Sequence, residues 1–254
     1  MLASRCLCHF DRNSGEPLCQ KYHTSDASFY RLAASQRQAS RMYIQEIWRY
    51  PVKSMAGERL RKAMIGVGGI EGDRRVVVAR GGRLVTARKD YKLLGLKGTL
   101  DPEQDPLIDG QAWNSPEALA LVKGAAGPDA EIFRPDGSGF FDVLPLLVAT
   151  DGAIQHMRFD GRRLRPNIIV GGVNGLAERQ WPNHYLHIGD VVIHAAQLRG
   201  RCVMTTYDPD SLKQDANILR KIVKELGGTM ALDCSVVRGG EIEEGAQVWL
   251  EERR

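Results

Sequence analysis

From Met42 onward, short apolar runs are broken every ten residues or so by Gly, Asp or Pro, the rhythm of many short strands joined by turns. The runs that read as strands are 44–50, 75–79, 84–87, 144–149, 167–170, 191–198, 231–238 and 247–251. This pattern fits a β-barrel better than a doubly wound sheet, which would alternate strands with long helices.

Helical spacing is rarer. Asp215 is placed to cap a helix whose Ile218, Leu219, Ile222, Val223 and Leu226 share one face, with Lys224 in its last turn and Gly227 as terminator. A shorter helix follows Asp151 through Ile154 and Met157. Residues 115–123 support two readings: Ser115 and Pro116 resemble a helix start, while Leu119 to Val122 suit a strand equally well. Residues 100–110, rich in Asp and Pro, read as a loop, and 135–139 as a second break that marks a soft domain boundary. The expected organisation is a leader over 1–41, a first domain over 42–138 and a second over 139–254.

Residues 1–41 show neither period and read as an unstructured leader, with Met42 as the physiological start. Two functional readings compete there. Cys6, Cys8, His9, Cys19 and His23 would be zinc ligands, but their spacing fits no familiar pattern. An organellar transit peptide is disfavoured by Asp11, Glu16 and Asp26, since such peptides are poor in acids.

Composition narrows the class without naming it. With 254 residues, 43% hydrophobic and 26% charged, the chain can bury a substantial core as one large or two small domains. A formal charge of +4 is too small an excess for wrapping a polyanion such as DNA, although it allows a local basic pocket for a small phosphorylated ligand. No apolar run is long enough for a transmembrane helix, so a cytoplasmic location is the default, with mitochondria the alternative if the leader is a targeting segment. Five cysteines, three of them crowded near the N-terminus, make neither a disulfide framework nor an iron–sulfur site.

The candidate chemistry centres on Cys202, in Arg199-Gly200-Arg201-Cys202-Val203-Met204-Thr205-Thr206 at the end of an expected strand. A cysteine in such a place is ordinarily a buried small hydrophobe. Arg199 and Arg201 shift that balance, because flanking guanidinium groups stabilise a thiolate, the form required of a metal ligand. Three further groups are of the same chemical type: Lys53 and Ser54 after Tyr50-Pro51-Val52, Asp73-Arg74 after a Gly-rich bend, and Arg165-Pro166-Asn167 at a strand entrance. Each alone reads as a strand end or surface turn. Arg suits a phosphate through its fork, and Asn can meet donors and acceptors on a heterocycle. His184, His187 and His194 lie near one expected hairpin, where strand alternation favours surface or core positions over a metal site.

Taken in order, Tyr50-Pro-Val-Lys-Ser54 with Gly57, Gly72-Asp-Arg74, Thr86-Ala-Arg88, Arg165-Pro-Asn167, Ile188-Gly-Asp190-Val191 and Arg201-Cys-Val-Met-Thr-Thr206 with Asp208-Pro209 resemble the successive motifs of MOSC proteins. That family includes the C-terminal domain of molybdenum cofactor sulfurases and the mitochondrial amidoxime-reducing components. The resemblance implies a mainly β fold with a few helices, an N-terminal barrel-like segment packed on a MOSC β-barrel, and the cofactor between them. It further implies that Cys202 ligates molybdenum, and that Lys53, Ser54, Arg74, Arg165 and Asn167, with Arg201 beside the ligand, contact the pyranopterin or its phosphate. One departure stands out: many relatives carry a cysteine three residues before the ligand, where this chain has Arg199, which argues against a two-thiol sulfur relay.

The activity implied is a molybdenum oxidoreductase that reduces small N-hydroxylated or N-oxide compounds. With no ferredoxin-like extension and no flavin motif, the electrons are expected from a separate reductase or electron-transfer protein. The alternative is a cofactor carrier or sulfur-handling protein without turnover. The sulfurases carry a pyridoxal-phosphate desulfurase domain upstream, and nothing of that length precedes Met42, so desulfurase activity is not expected of this chain. A nucleic-acid-binding barrel is disfavoured by the small net charge and the lack of a basic, aromatic stripe.

Overall fold

The computed structural model describes residues 41–136 and 140–252. In chain order the first half carries β1 (Tyr43–Arg49), β2 (Glu58–Leu60), β3 (Lys62–Gly66), β4 (Gly69–Ile70), β5 (Val77–Arg80), β6 (Arg83–Val85), β7 (Gly98–Leu100), β8 (Pro106–Ile108), β9 (Gln111–Ala112), α1 (Pro116–Ala126) and β10 (Ala130–Phe133). The second half carries β11 (Leu146–Thr150), α2 (Asp151–Met157), β12 (Ile168–Gly171), β13 (His184–Ile188), β14 (Val191–Gly200), α3 (Ala216–Leu226), β15 (Thr229–Arg238), β16 (Gly240–Glu243) and β17 (Val248–Glu252).

Eight strands form one sheet in the order β17-β13-β14-β15-β11-β12-β1-β2, in which β11 and β12 run parallel, with α2 between them in the chain. The fold is mainly β with a few helices, as expected, but among the described residues no sheet is closed into a barrel by a continuous ladder. A single bridge, Tyr43 to Gln247, draws the start of β1 towards β17. Strand β11 shows why this sheet reads as an unbroken apolar run: Leu146 and Val148 face the core that contains Ile47, Ile168 and Ile193, whereas Leu147 and Ala149 face a second core with Met157, Ile222 and Leu226. A strand covered on both faces has no polar side to alternate with.

In β1 the two fully buried residues, Ile44 and Ile47, are three apart, which a regular strand would point to opposite faces. The register against β12 slips between Ile44 and Glu46, so Gln45 is the extra residue of a bulge and both isoleucines turn inward.

The ambiguous segment is helical. Ser115 Oγ accepts from Ala118 N at 3.1 Å, Pro116 opens α1, and Ala118, Val122 and Ala126 bury one stripe against a third core formed around Val52, Val76, Leu93 and Ile108. Helix α3 keeps its Asp215 cap, to Asn217 N at 2.9 Å, and its left-handed Gly227, but buries only part of the expected face: Ile222 and Leu226 are inside while Val223 is exposed. Residues 100–110 are not wholly loop, since β7 to β9 make a small three-stranded sheet there. Strand β16 pairs with β3, so segments distant in the chain are interleaved. The zinc and transit-peptide readings fall on residues outside those described.

Candidate functional site

Lys53, Ser54, Arg74, Arg165, Asn167, Arg201 and Cys202 all line one cleft, together with Arg88, Asp142, Arg163, Arg199 and Asp233. None of the seven lies inside a regular element. Lys53 and Ser54 occupy the turn after β1, Arg74 the turn before β5, and Arg165 and Asn167 the entry to β12. Arg201 and Cys202 follow the end of β14.

Asp73 ties these connections together. Buried at 4% exposure, its carboxylate accepts from Tyr50 N at 2.6 Å through Oδ1 and from Asn167 Nδ2 at 3.1 Å through Oδ2, and it pairs with the Arg74 guanidinium. Asn167, fully buried, is itself committed to the protein: Oδ1 accepts from Leu147 N at 3.1 Å, and Nδ2 also reaches Trp48 O at 3.3 Å. Both residues therefore brace the cleft wall. A polar pair so buried persists because every strong donor and acceptor in it is matched.

Three non-glycine residues of the cleft have left-handed backbone, Ser54 (φ 71°), Arg74 (φ 50°) and Arg165 (φ 57°). Such conformations cost on the order of 1–3 kcal/mol each and persist where the surroundings impose them, often at functional sites. Arg165 ends a short 3-10 turn (Gly161–Leu164) and precedes Pro166, a position that normally takes extended backbone. Its guanidinium lies 4.4 Å from the centroid of the Tyr50 ring, with no hydrogen-bonded or carboxylate partner among the described residues. Tyr50 is held in turn by a 3.1 Å hydrogen bond from its hydroxyl to Pro166 O. Close approach at Gly57, where a Cβ would stand 2.6 Å from the Tyr50 ring, requires glycine there.

Burial and unequal pairing set the electrostatics. Burial pulls Arg165 and Arg201 down to about 10, so both stay charged at neutral pH. Lys53 is lowered by the same cause, opposed by Asp142, whose Oδ1 accepts from Lys53 Nζ at 2.6 Å. For Asp142, burial acts upwards, but the Lys53 hydrogen bond and the charges of Lys53, Arg199 and Arg88 hold the carboxyl below its usual range. Arg199 bridges Asp142 at 3.1 Å and Asp233 at 2.9 Å. Arg201 donates to Leu164 O at 2.8 Å, while its Nε, like Thr205 Oγ1, is buried without a partner.

Cys202 is a free, half-buried thiol at the head of the 3-10 turn Val203–Thr206. Its place follows from how β14 ends. Gly200 pairs with Thr229, and Arg201 N donates to Gly228 O at 2.9 Å. The start of β15 is fixed in turn by buried Glu178, which accepts from Ala231 N at 3.0 Å and from Thr150 Oγ1 at 2.7 Å. Ala231 is left-handed at φ 66°, a kink that aims its N–H at that carboxylate.

Sequence reasoning missed Asp142, Arg163 and Asp233 in the cleft, and gave Asp73 only a surface turn. Their signal was weak, since each is a lone charged residue far along the chain from its partners. The three histidines are not a metal site: His187 stacks on Trp249 with centroids 3.7 Å apart, His194 tilts against Tyr185, and no group of three or more metal-binding side chains occurs among the described residues. Cys234 is fully buried in β15, and burial pushes its thiol up. No described helix is long and apolar enough to cross a membrane.

Seven cationic side chains, two carboxylates and one free thiol thus meet in a cleft made from strand connections. That gathers more positive charge than the net +4 of the whole chain, and it defines a β protein suited to an anionic ligand bearing a thiophilic atom. The chain belongs to the MOSC family: the MOSC N-terminal beta barrel domain matches residues 41–121 and the MOSC domain residues 147–249. The cleft draws Lys53, Ser54 and Arg74 from the first match and Arg165, Asn167, Arg201 and Cys202 from the second.

Among characterised proteins, mitochondrial amidoxime-reducing component 1 of Homo sapiens is 25% identical over 66% of this chain and 67% of its own length. Mitochondrial amidoxime reducing component 2 of Homo sapiens is 24% identical over the same shares. The chain therefore spans about two thirds of the length of these relatives. Among solved structures, the YuaD protein from Bacillus subtilis aligns with a TM-score of 0.48 at 12% identity, covering 84% of this chain and 97% of that one.

Proposed function

We propose that this cleft holds the molybdenum cofactor with the Cys202 thiolate on the metal, and that the chain is an oxidoreductase for N-hydroxylated or N-oxide compounds, fed by a separate electron-transfer protein. One observation carries the reading: a free thiol and a set of cationic side chains, drawn from both matched regions of the chain, line the same cleft. The donor set fits the group. Arg201 Nε is buried without a partner, and the Arg165 guanidinium has none among the described residues, so an anionic ligand would satisfy groups that the protein leaves open. A soft thiolate is a suitable ligand for the metal.

The cofactor would supply the two-electron redox centre. Around it, Arg165 and Arg201 would neutralise the anionic cofactor, and Asp73 would hold Arg74 and the Tyr50 turn in place. Cleavage of an N–O bond consumes two electrons from the donor and two protons, and the oxygen leaves as water. Lys53 Nζ is the buried acid at the cleft wall, and its lowered affinity for the proton makes it a better proton donor than an exposed lysine. Arg199, ion-paired to both Asp142 and Asp233, links the two carboxylates of the cleft and offers no second thiol for sulfur transfer. The names of the human relatives support the reductive reading.

The test is molybdenum content per chain, for the native protein and Cys202→Ser made in a host that synthesises the cofactor, followed by benzamidoxime reduction with an artificial electron donor. Metal in the native protein, its loss in the variant and turnover by the native form are expected. A metal-free native protein overturns the proposal, and metal without turnover replaces the oxidoreductase by a carrier.

A further inference from the structure

Residues 88–97 form a basic strip beside the cleft. Arg88, at one end, lines the cleft itself, and Lys97, at the other, lines a neighbouring cavity of about 290 Å³ that shares Met204 with it. Local packing turns the strip outward. Leu93 and Leu94 of its 3-10 turn (Tyr91–Gly95) are buried in the third core, and a Cβ at Gly95 would stand 2.9 Å from the Leu212 side chain. Lys89, Tyr91 and Lys92 are left exposed. Tyr91, 38% exposed, lies flat on Tyr207, with centroids 4.7 Å apart and planes within 4°. Tyr207 closes the 3-10 turn that Cys202 opens, and its N–H donates to Met204 O at 3.3 Å. The stacked tyrosines thus lead from the surface to the turn that bears the thiol.

The charge on the strip is unbalanced. Ten residues hold four cations and one carboxylate, a net +3 against +4 for the whole chain. That carboxylate, Asp90, is engaged by Arg80 at 3.0 Å. Asp109, next to Lys97, accepts from its backbone N–H at 2.7 Å. Lys89, Lys92 and Lys97 have no carboxylate partner among the described residues, and Arg88 reaches Asp142 only at 3.9 Å. On other surfaces cations are matched: Arg59 by Glu244, Lys62 by Glu241 and Glu243, Arg134 by Asp105. Helix α3 also leaves Arg220 and Lys224 without carboxylates, but among the described aromatic contacts none runs from that helix towards Cys202.

We infer that this strip is the docking face for the electron donor of the proposed reaction, a one-electron carrier protein with an acidic face that seats over Tyr91. This rests on the oxidoreductase reading above. Electron transfer through protein weakens steeply with distance, so a carrier has to dock where the reducible centre comes near the surface. An exposed tyrosine rimmed by lysines has the aromatic centre and polar border of an interface. Encounters of this kind bury less than about 1,200 Å², which suits a strip of this size, and opposite charge speeds them. Each docking oxidises the carrier by one electron. Two dockings supply the pair that, with two protons, breaks the N–O bond and releases water.

The probe is a plant-type ferredoxin, a small acidic one-electron carrier. It is titrated calorimetrically into the molybdenum-loaded native protein, Lys89→Glu/Lys92→Glu, Tyr91→Ala and, as a control of equal charge change, Arg220→Glu/Lys224→Glu. Native binding that weakens with salt is expected, with a loss of about tenfold for the lysine pair and for Tyr91→Ala but under about twofold for the α3 pair. In the lysine pair, benzamidoxime turnover driven by ferredoxin should fall in step. Its molybdenum content, and turnover driven by a small dye reductant, should stay native. Absence of native binding, an equal loss in the α3 pair, or tighter capture of phosphatidylserine vesicles by the same lysines overturns the inference. Ferredoxin binding through the strip without dye-driven turnover would sink the oxidoreductase reading and leave the docking face standing. Dye-driven turnover without ferredoxin binding does the reverse.

Discussion

Replacing Asp73 by Ala removes the acceptor on which three cleft segments converge. Tyr50 N and Asn167 Nδ2 are buried donors, and Arg74, with 15% of its side chain exposed, loses its ion pair. A buried donor left unpaired costs about 1–3 kcal/mol, and removing one partner of a buried ion pair about 3–5 kcal/mol. These penalties overlap, because the same water that enters to serve one donor serves another, so the expected loss is about 3–5 kcal/mol and not their sum. For a domain of this size that lowers Tm by about 8–15 °C. Asp73→Asn should cost less: its carbonyl can still accept from Tyr50 N, but its amide N–H groups face the donors of Asn167 and Arg74. Urea unfolding and calorimetry on both variants read the order, Ala worse than Asn worse than native. In a cycle with Asn167→Ala the coupling should exceed about 1 kcal/mol, since the two side chains bond directly. A loss below about 1 kcal/mol for Asp73→Ala would refute the account of Asp73 as the brace of the cleft.

Glu178 makes a pH-dependent prediction. Burial raises its carboxyl above the usual 4.5, so between that value and the folded one the unfolded chain has released a proton that the native protein keeps. Stability contributed there falls as pH rises through the window and is unaffected below it. Glu178→Gln should therefore gain stability relative to native as pH rises above the usual carboxyl value of 4.5, read from urea midpoints, and a relative loss would contradict the assignment. Arg165→Ala removes a side chain that donates no hydrogen bond among the described residues, so the loss expected is that of its stacking on Tyr50, about 0.5–1 kcal/mol. Molybdenum content should fall while the unfolding midpoint barely moves, and a variant that loses stability but keeps its metal would show Arg165 to be structural.

Much of the secondary structure was legible because its causes are local. The caps of α3 lie at its own ends, in Asp215 and Gly227, and β11 announced itself as an apolar run. Errors arose where a distant partner decided. Val223 shares a helical face with Ile222 and Leu226 on the sequence pattern, yet the second core stops short of it. The bulge at Gln45 is invisible in a pattern of single residues, because it exists only against the register of β12. At the site, the motif order picked out seven residues that line one cleft, but the same reading took Asp73, bonded to Asn167 94 residues away, for a surface turn and passed over Asp142, 89 residues from Lys53, and Asp233, 34 from Arg199.

The sequence by itself determined a mainly β chain with a strongly capped late helix, a cysteine flanked by arginines, and an ordered set of Lys, Ser, Arg and Asn motifs. Periodicity, caps and flanking charges act within a few residues, and an isolated segment already carries them. Only the tertiary structure decided that β16 returns to β3 and that the sheet stays open but for a bridge at Tyr43. It also decided that, among the described residues, Arg165 and Lys97 are left without carboxylate partners while Arg162 and Arg163 are not. Strand pairing and charge matching depend on which distant groups burial brings together, and that is settled by competition over the whole chain. The chemistry of the thiol was local, and the cleft that would make it a ligand was not.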